Sequence, residues 1–193
     1  MGIEFELKYR ATDAQQAALL ERFGTDARTI AMETTYYDTP DRFLSARRMT
    51  LRKRMENGTA VCTIKAPAGS AGRGEWECLC DDIQAASVEL CKLGGPEYLL
   101  LLPTAELEPI CGARFTRQAM DICTEAFTAE LALDRGVLTG GGQEEALREV
   151  ELELKSGDPD AMTAFMKELA AQYGLVPENR SKFRRAKALA EGE

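Results

Sequence analysis

The segment Ile3-Glu4-Phe5-Glu6-Leu7-Lys8-Tyr9 alternates strictly between apolar and charged side chains. Successive side chains of a β-strand point to opposite faces of the sheet, so the alternation predicts a strand with one apolar face and one charged face. The charged face carries Glu4, Glu6 and Lys8, and the two neighbouring glutamates have the same charge. The segment therefore predicts a strand that brings carboxylates together.

A second segment, far along the chain, repeats this pattern. Glu149, Glu151 and Glu153 alternate with apolar residues, and only Lys155 on the same strand offers a positive charge. Their side chains would stand about 7 Å apart on one face. One such ladder is also typical of a half-exposed strand with solvated charges. Two ladders brought together would instead favour a divalent cation, because carboxylate oxygens are its preferred ligands.

Basic side chains on the predicted strands outnumber the acids that could neutralise them on the same strand. They are Arg52, Arg54, Lys65 and Arg117, with Lys182 and further basic residues towards the C-terminal end. Arginine binds phosphate oxygens in pairs and lysine supplies a movable point charge, so the set predicts a polyanion ligand. Arg114 falls on the opposite face from Arg117 by strict alternation and is not assigned to the site.

Alternation with a period of two recurs along the chain and predicts about eight strands. They span residues 3–10, 28–38, 49–56, 59–66, 73–80, 113–122, 125–134 and 147–155. Asn57-Gly58 lies between two of these strands and is typical of a hairpin turn, which favours antiparallel neighbours. Gly140-Gly141-Gly142 predicts a mobile loop.

Three helices are predicted from capping residues at their starts and a glycine at their ends, and a fourth element is predicted as a helix or a turn. They begin at Thr12 or Asp13, at Asp81 or Asp82, at Asp158 and near Ser181, and the first three end at Gly24, Gly94 and Gly174. No internal repeat or linker separates these elements. We therefore expect one β-rich α+β domain over residues 1–193.

Composition narrows the chemistry further. The net charge of −8 argues against a nucleic-acid partner, because affinity for that backbone rests on an excess of Lys and Arg. The absence of histidine removes the usual general base and every imidazole ligand, so a metal would be held by carboxylates, which favours Mg²⁺ or Mn²⁺. No apolar run reaches the roughly 20 residues of a membrane helix. We expect a cytoplasmic protein without a membrane partner, whose six cysteines are reduced and mostly buried.

Taken in order, these segments resemble the triphosphate tunnel metalloenzymes, also called the CYTH superfamily. Glu4-Phe5-Glu6-Leu7-Lys8 matches the Glu-x-Glu-x-Lys signature of the family's first strand. The other matching segments are Tyr36-Tyr37-Asp38-Thr39-Pro40, Leu51-Arg52-Lys53-Arg54, Thr63-Ile64-Lys65, Arg73-Gly74-Glu75-Trp76-Glu77, Leu133-Asp134-Arg135-Gly136, the ladder from Glu149 to Leu154, and Ser181-Lys182-Phe183. The resemblance implies a closed, mostly antiparallel eight-stranded β-barrel, a tunnel, with a charged lumen and peripheral helices.

The resemblance also implies an activity: hydrolysis of a small-molecule triphosphate, in which a water activated by Mg²⁺ or Mn²⁺ attacks the terminal phosphoryl group. Inorganic triphosphate is the preferred substrate, since it needs only a charged lumen. A class IV-type adenylate cyclase, whose usual His-Phe pair this chain lacks, and a thiamine or nucleoside triphosphatase are the alternatives. A noncatalytic polyphosphate-binding module is an alternative of another class. The oligomeric state stays open, with a homodimer as one option.

Site residues follow from the same resemblance, position by position. The metal ligands it implies are Glu4, Glu6, Asp134, Glu149, Glu151 and Glu153, although which members of the 149–153 ladder bind metal stays open. The triphosphate ligands it implies are Lys8, Arg52, Arg54, Lys65, Arg117 and Lys182. Lys8, Glu4 and Glu6 are the expected catalytic residues. Glu75 and Glu77 are expected to line the lumen, and these two and Glu153 could equally brace it through ion pairs.

Overall fold

One antiparallel sheet of nine strands dominates the computed structural model, which describes residues 5–67 and 73–192. The strands are β1 (Glu6–Arg10), β2 (Arg28–Asp38), β3 (Thr50–Glu56), β4 (Thr59–Pro67), β5 (Arg73–Leu79), β6 (Glu108–Cys123), β7 (Phe127–Gly140), β8 (Gln143–Gly157) and β9 (Val176–Pro177). Their order across the sheet is β5-β4-β3-β2-β6-β7-β8-β1-β9. All eight predicted strands are present, and the two-residue β9 was not predicted.

Five α-helices flank the sheet within the described ranges: α1 (Asp13–Phe23), α2 (Phe43–Ala46), α3 (Ile83–Lys92), α4 (Pro159–Tyr173) and α5 (Lys182–Glu191). The predicted starts are confirmed, because the side chains of Thr12, Asp82, Asp158 and Ser181 each accept a backbone N–H of the first turn. The short α2 and the 3₁₀ segments Gly24–Asp26 and Glu97–Thr104 were not predicted. Among these helices, none has both the length and the apolar character needed to cross a bilayer.

The sheet is open, so the prediction of a closed eight-stranded barrel is corrected. Its edges are β5 and β9, and no ladder between described strands joins them. The outer edge of β1 is already occupied, because β9 pairs with Tyr9 and Arg10 there. Pro177 in β9 lacks the N–H that would extend this ladder. The sheet still curves enough for side chains of β1 and β5 to line a common cavity.

The apolar faces of the strands pack outward against helices, as expected. Leu131, Val150 and Leu152 on β7 and β8 are buried in one core with residues of α1 and α4. A second core joins β3, β4 and β5 to α3 and includes Trp76, which is 9% exposed and so a packing residue. Because both cores lie on the convex side, the charged faces of the same strands are left to the concave side.

Helix α5 differs from the others because it packs on the concave side, over β6, β7 and β8. Leu138 and Leu147, which share the face of the site carboxylates, are buried with Ala186. Gly140 permits this approach, since a Cβ there would overlap the carbonyl oxygen of Ala186 and lie 2.8 Å from the backbone nitrogen of Ala190. The predicted mobile glycine loop is instead a tight hairpin turn between β7 and β8, with positive φ at Gly141 and Gly142.

Gly140→Ala is expected to lower the free energy of unfolding by about 1–3 kcal/mol, because the added methyl group pushes α5 away from the sheet. Cys111 is buried in the same core as Ala186, so its labelling by a thiol reagent, resolved by mass spectrometry, should become faster. Gly142→Ala is the control, because its Cβ meets no atom within 4 Å and strains only the turn. Unchanged Cys111 labelling in Gly140→Ala would show that α5 does not need this close contact.

The six cysteines are free thiols, as expected, but they are less buried than expected. Cys62 and Cys111 are buried, and burial raises the pKa of each thiol to about 12. The other four are partly or fully exposed, and Cys123 is the exposed one. Cys78, Cys80 and Cys91 are partly buried at the margin of the core that contains Trp76.

Candidate active site

A cavity of about 720 Å³ occupies the concave face of the sheet. Side chains from β1 to β8 and from the start of α5 line it. Its charged lining comprises Glu6, Lys8, Arg52, Arg54, Glu56, Lys65, Arg73, Glu75, Glu77, Arg117, Glu130, Glu151, Glu153, Lys155 and Lys182. The fold thus brings together most of the predicted site residues. Asp134 and Glu149 lie beneath this lining, and Glu4 lies outside the described residues.

Three buried carboxylates form the floor of the site. Asp134, Glu149 and Glu151, here called the acidic cluster, each place one oxygen within 4.8 Å of the other two. The ammonium of Lys182 lies at the centre of this cluster. Its Nζ is 2.8 Å from Asp134 Oδ2, 2.6 Å from Glu149 Oε2 and 2.7 Å from Glu151 Oε1. The first residue of α5 is thereby fixed to β7 and β8.

Two arginines complete the charge balance of the acidic cluster. Arg117 donates from Nε and Nη2 to the two oxygens of Asp134, at 2.7 Å each, and from Nη2 to Glu151 Oε2 at 2.5 Å. Arg185 donates from Nη1 to Glu149 Oε1 at 2.6 Å and also bonds Glu145. Arg185 is one of the C-terminal basic residues that were not assigned to the site from the sequence. Its spacing of three residues from Lys182 on one helix face was the available signal.

These contacts shift the pKa values of the groups involved. Burial raises the pKa of Glu151, but Lys182, Arg117 and Lys8 lower it more, so the net pKa lies well below the usual range. Burial lowers the pKa of Lys182, but Asp134, Glu151 and Glu149 raise it more, so its net pKa is higher than usual. The pKa values of Lys8 and Arg117 are also raised, so Lys8, Arg117, Lys182 and the Glu151 carboxylate are ionised at neutral pH.

Acid should weaken the contribution of Glu151 to stability. Its folded-state pKa is lowered from the ordinary 4.5, so the stabilisation is present above pH 4.5 and is lost as the pH falls through the lower folded-state value. We expect the difference in the free energy of unfolding between wild type and Glu151→Gln, in metal-free buffer, to shrink steadily below about pH 4.5. Urea titrations at several pH values measure this difference. A difference that grew with acid would contradict the assignment.

The acids nearer the mouth of the cavity are more accessible. Glu6 and Glu153, here called the rim carboxylates, face each other across β1 and β8, and their side chains are 30% and 31% exposed. Lys8 Nζ is 2.9 Å from Glu6 Oε1 and 3.6 Å from Glu151 Oε1. Among the described residues, only the acidic cluster brings three carboxylates within 4.8 Å. The rim carboxylates are nevertheless hard oxygen donors of the kind that Mg²⁺ and Mn²⁺ prefer.

The opposite wall of the cavity is basic and loosely paired. Arg52 Nη2 lies 3.3 Å from Glu75 Oε1, and its buried Nε has no hydrogen-bond partner among the described residues. Within the same described ranges, Arg54 makes two long contacts, both of 3.3 Å, to the side chains of Thr34 and Glu56. Burial lowers the pKa of Arg54, and the neighbouring charge of Arg52 lowers it further. These guanidinium groups retain donors for an anion, unlike Arg117.

Glu75 and Glu77 line the same wall, where they brace its cations and hydroxyls. Glu75 bonds Arg52 and also lies 3.2 Å from Lys65 Nζ, and Glu77 accepts a hydrogen bond from Thr63. Arg114, by contrast, faces away from the cavity and pairs with Glu144 in solvent, as strand alternation predicted.

Comparison with known proteins agrees with this architecture. The CYTH domain model matches residues 2–186 of the chain. An inorganic triphosphatase of Haemophilus influenzae is 30% identical over 155 residues, which cover 78% of this chain but only 44% of that relative. The chain thus corresponds to less than half of the length of that protein.

Two solved structures share the fold along nearly the whole chain. A candidate adenylyl cyclase from Hippeastrum, described as having a dominant triphosphatase activity, has a TM-score of 0.66 and 18% identity over 98% of this chain and 96% of its own. A protein of Pyrococcus horikoshii has a TM-score of 0.62 and 23% identity over 99% and 100% of the two chains. At these identities the likeness concerns the fold alone. Together with the family model, it shows that the chain belongs to the CYTH domain family.

Proposed function

We propose that the protein is a divalent-metal-dependent hydrolase of inorganic triphosphate, built as a single domain over residues 1–193. The observation that supports this most is the pair Arg52 and Arg54. Both guanidinium groups line the cavity on the concave face, and their contacts are long or incomplete. Such a wall favours a multiply charged anion. The name of the Haemophilus influenzae relative favours inorganic triphosphate as that anion.

Cations on both sides of the cavity would bind the phosphate chain. Arg52, Arg54 and Lys65 stand on β3 and β4, and Lys8 and Arg117 stand on β1 and β6. Guanidinium groups fixed before the substrate arrives stabilise charge that develops on phosphoryl oxygens in the transition state. Lys182, the sixth predicted phosphate ligand, lines the same cavity, but its ammonium is already bound to the acidic cluster.

Carboxylates of β1 and β8 would hold the metal, which we propose is Mg²⁺ or Mn²⁺. The accessible candidates are Glu6, Glu151 and Glu153, and Glu4 belongs to the proposed set through its alternation with Glu6 in the sequence. When bound, a divalent cation supplies charge neutralisation and lowers the pKa of water. The protein's own part is to place Lys8 between these acids and the phosphate chain.

The lining favours a substrate without a large apolar group. Fifteen of the 22 described lining residues are charged, and the aromatic rings of Tyr36 and Phe183 pack on each other at 5.0 Å. Each ring therefore has one face at most left for a base or a thiazole. The free thiols favour a reducing compartment, so we further propose the cytoplasm as its location.

Phosphate release from inorganic triphosphate, ATP and thiamine triphosphate tests the proposal, with Mg²⁺, Mn²⁺ or EDTA in the buffer. We expect the fastest release from inorganic triphosphate with metal and none above background with EDTA. Cyclic AMP formed from ATP would favour the adenylate cyclase instead. Tight binding of all three compounds without turnover would favour a polyphosphate-binding module.

Glu6→Gln and Lys8→Ala are expected to lower kcat/KM for inorganic triphosphate by at least about a hundredfold, because each removes a charge that faces the reacting group. Glu144→Gln on the exposed β7–β8 hairpin is the matched control and should stay within about twofold of wild type. Wild-type turnover in both site variants, confirmed folded by circular dichroism, would refute these two assignments.

A further inference from the structure

The acidic cluster has the donor set of a divalent-cation site, but an ammonium occupies its centre. Lys182 Nζ lies between 2.6 and 2.8 Å from one oxygen of each carboxylate. Divalent cations bind carboxylate oxygens at about 2.0–2.6 Å. A metal ion equidistant from the same three oxygens would therefore need the position that Nζ fills.

The charges around the acidic cluster also argue against a divalent ion at its centre. Among the described residues, the three carboxylates of the cluster lie within 2.8 Å of Lys182, Arg117 and Arg185, so these six groups carry no net charge, and Lys8 adds a further positive charge 3.6 Å from Glu151. Adding a divalent ion to these six groups would leave two uncompensated positive charges in a buried site. Asp134 and Glu149 have no exposed side-chain surface, so water could not screen that excess.

The ammonium is also held firmly in place. Lys182 is the first residue of α5, whose cap is the Ser181 side chain bonded to the backbone N–H of Arg184. The helix is fixed one turn later by Arg185, through Glu149 and Glu145. Moving Nζ out of the cluster would require the side chain to leave three partners at once.

We propose that Lys182 is the resident cation of the acidic cluster and that it excludes the divalent metal from Asp134 and Glu149. Of the three acids, only Glu151, which lines the cavity, is left to join the rim carboxylates in binding metal. Lys182 then acts as a positioning residue, which neutralises the floor of the site and ties α5 to it. This inference rests on the proposed function for one assumption only, which is that the site binds a divalent cation.

Mn²⁺ binding without substrate tests the exclusion, with free Mn²⁺ measured by electron paramagnetic resonance. Glu149→Gln should leave the Mn²⁺ affinity within about twofold of wild type, whereas Glu153→Gln should weaken it at least about tenfold. Glu149→Gln should fold, because Arg185 retains its ion pair with Glu145. Lys182 retains its ion pairs with Asp134 and Glu151. A tenfold weaker affinity in folded Glu149→Gln would overturn the proposal.

Removing the ammonium gives a second, independent test. Lys182→Met keeps the length of the side chain but leaves the cluster without its central cation, so we expect one additional Mn²⁺ per chain compared with wild type. Lys187→Met, on the more exposed part of α5, should leave the number unchanged. If Lys182→Met unfolds without metal, added Mn²⁺ should restore its far-ultraviolet circular dichroism. A variant that gains no ion and is not refolded by Mn²⁺ would overturn the proposal.

The Mn²⁺-binding and phosphate-release experiments together distinguish a failure of this inference from a failure of the proposed function. Should wild type bind no Mn²⁺ and release no phosphate, the proposed function fails, yet the extra ion in Lys182→Met would still support the inference. Should wild type hydrolyse triphosphate while Lys182→Met gains no ion, the inference fails and the proposed function stands.

Discussion

Arg54→Met is expected to lower kcat/KM for inorganic triphosphate by about a hundredfold to a thousandfold and at the same time to raise the melting temperature. Arg54 is largely buried, with 15% of its side chain exposed, beside the like charges of Arg52 and Arg117, and its contacts to Thr34 and Glu56 are long. The folded protein alone therefore gains little from this cation. The bound phosphate chain would supply the missing negative charge, so the loss should appear in catalysis.

The gain in stability follows from the same environment. Burial and the charge of Arg52 lower the pKa of Arg54, which means that the folded state disfavours the charged form. Replacing a poorly compensated buried charge by an apolar side chain should stabilise the fold by about 1 kcal/mol. In a chain of this size that change raises the melting temperature by about 2–4 °C.

Arg114→Met is the matched control for Arg54→Met, because Arg114 lies on the outward face of β6 and pairs with Glu144 in solvent. We expect its turnover and melting temperature to stay close to wild type. Steady-state kinetics and thermal unfolding by circular dichroism check both variants. An Arg54→Met protein that kept wild-type kcat/KM would remove the main support for the phosphate-binding wall.

Asp134→Asn should have the largest effect on stability, a loss of about 3–5 kcal/mol in the free energy of unfolding. Asp134 is fully buried, receives two hydrogen bonds from Arg117 and contacts Lys182. The amide removes the negative charge but leaves both cations buried. Uncompensated buried charge is the costly outcome, and it explains the size of the effect.

A double-mutant cycle isolates this interaction. Arg117→Met alone leaves Asp134 with Lys182, and the pair Asp134→Asn with Arg117→Met removes one charge of each sign. We expect the double variant to be more stable than the sum of the two single losses predicts, by about 1–3 kcal/mol. Urea unfolding at neutral pH gives the four values. Strict additivity would show that Arg117 and Asp134 do not interact as the distances indicate.

The fold was predictable from strand alternation wherever one face is covered by a helix. The charged ladders of β1 and β8 and the cation pair of β3 lie on the concave face as their sequence spacing required. The sequence could not predict that the sheet is open. Alternation indicates which face of the sheet a residue occupies, but it does not indicate whether the two edge strands pair with each other. The edge position of β9 depends on two residues, too few for any periodic pattern.

The sequence predicted which residues belong to the site but not which of them contact each other. The spacing of the ladder selected Glu149 and the family resemblance selected Asp134 and Lys182, yet the sequence could not reveal that this lysine lies among these acids. That contact depends on how α5 crosses the concave face, which is set by Gly140 and by tertiary packing. Arg185 was not assigned to the site for the same reason, because an arginine within an amphipathic helix equally fits a solvated face.

A crystal structure with Mn²⁺ and a nonhydrolysable triphosphate analogue, in which anomalous scattering locates the ion, tests the account most directly. We expect the phosphate chain to contact Arg52, Arg54 and Lys8 in the concave cavity. The anomalous peak should lie at Glu6 and Glu153, with Lys182 still bonded to Asp134 and Glu149. Phosphates bound outside the cavity, or guanidinium groups of β3 that make no contact with them, would contradict it.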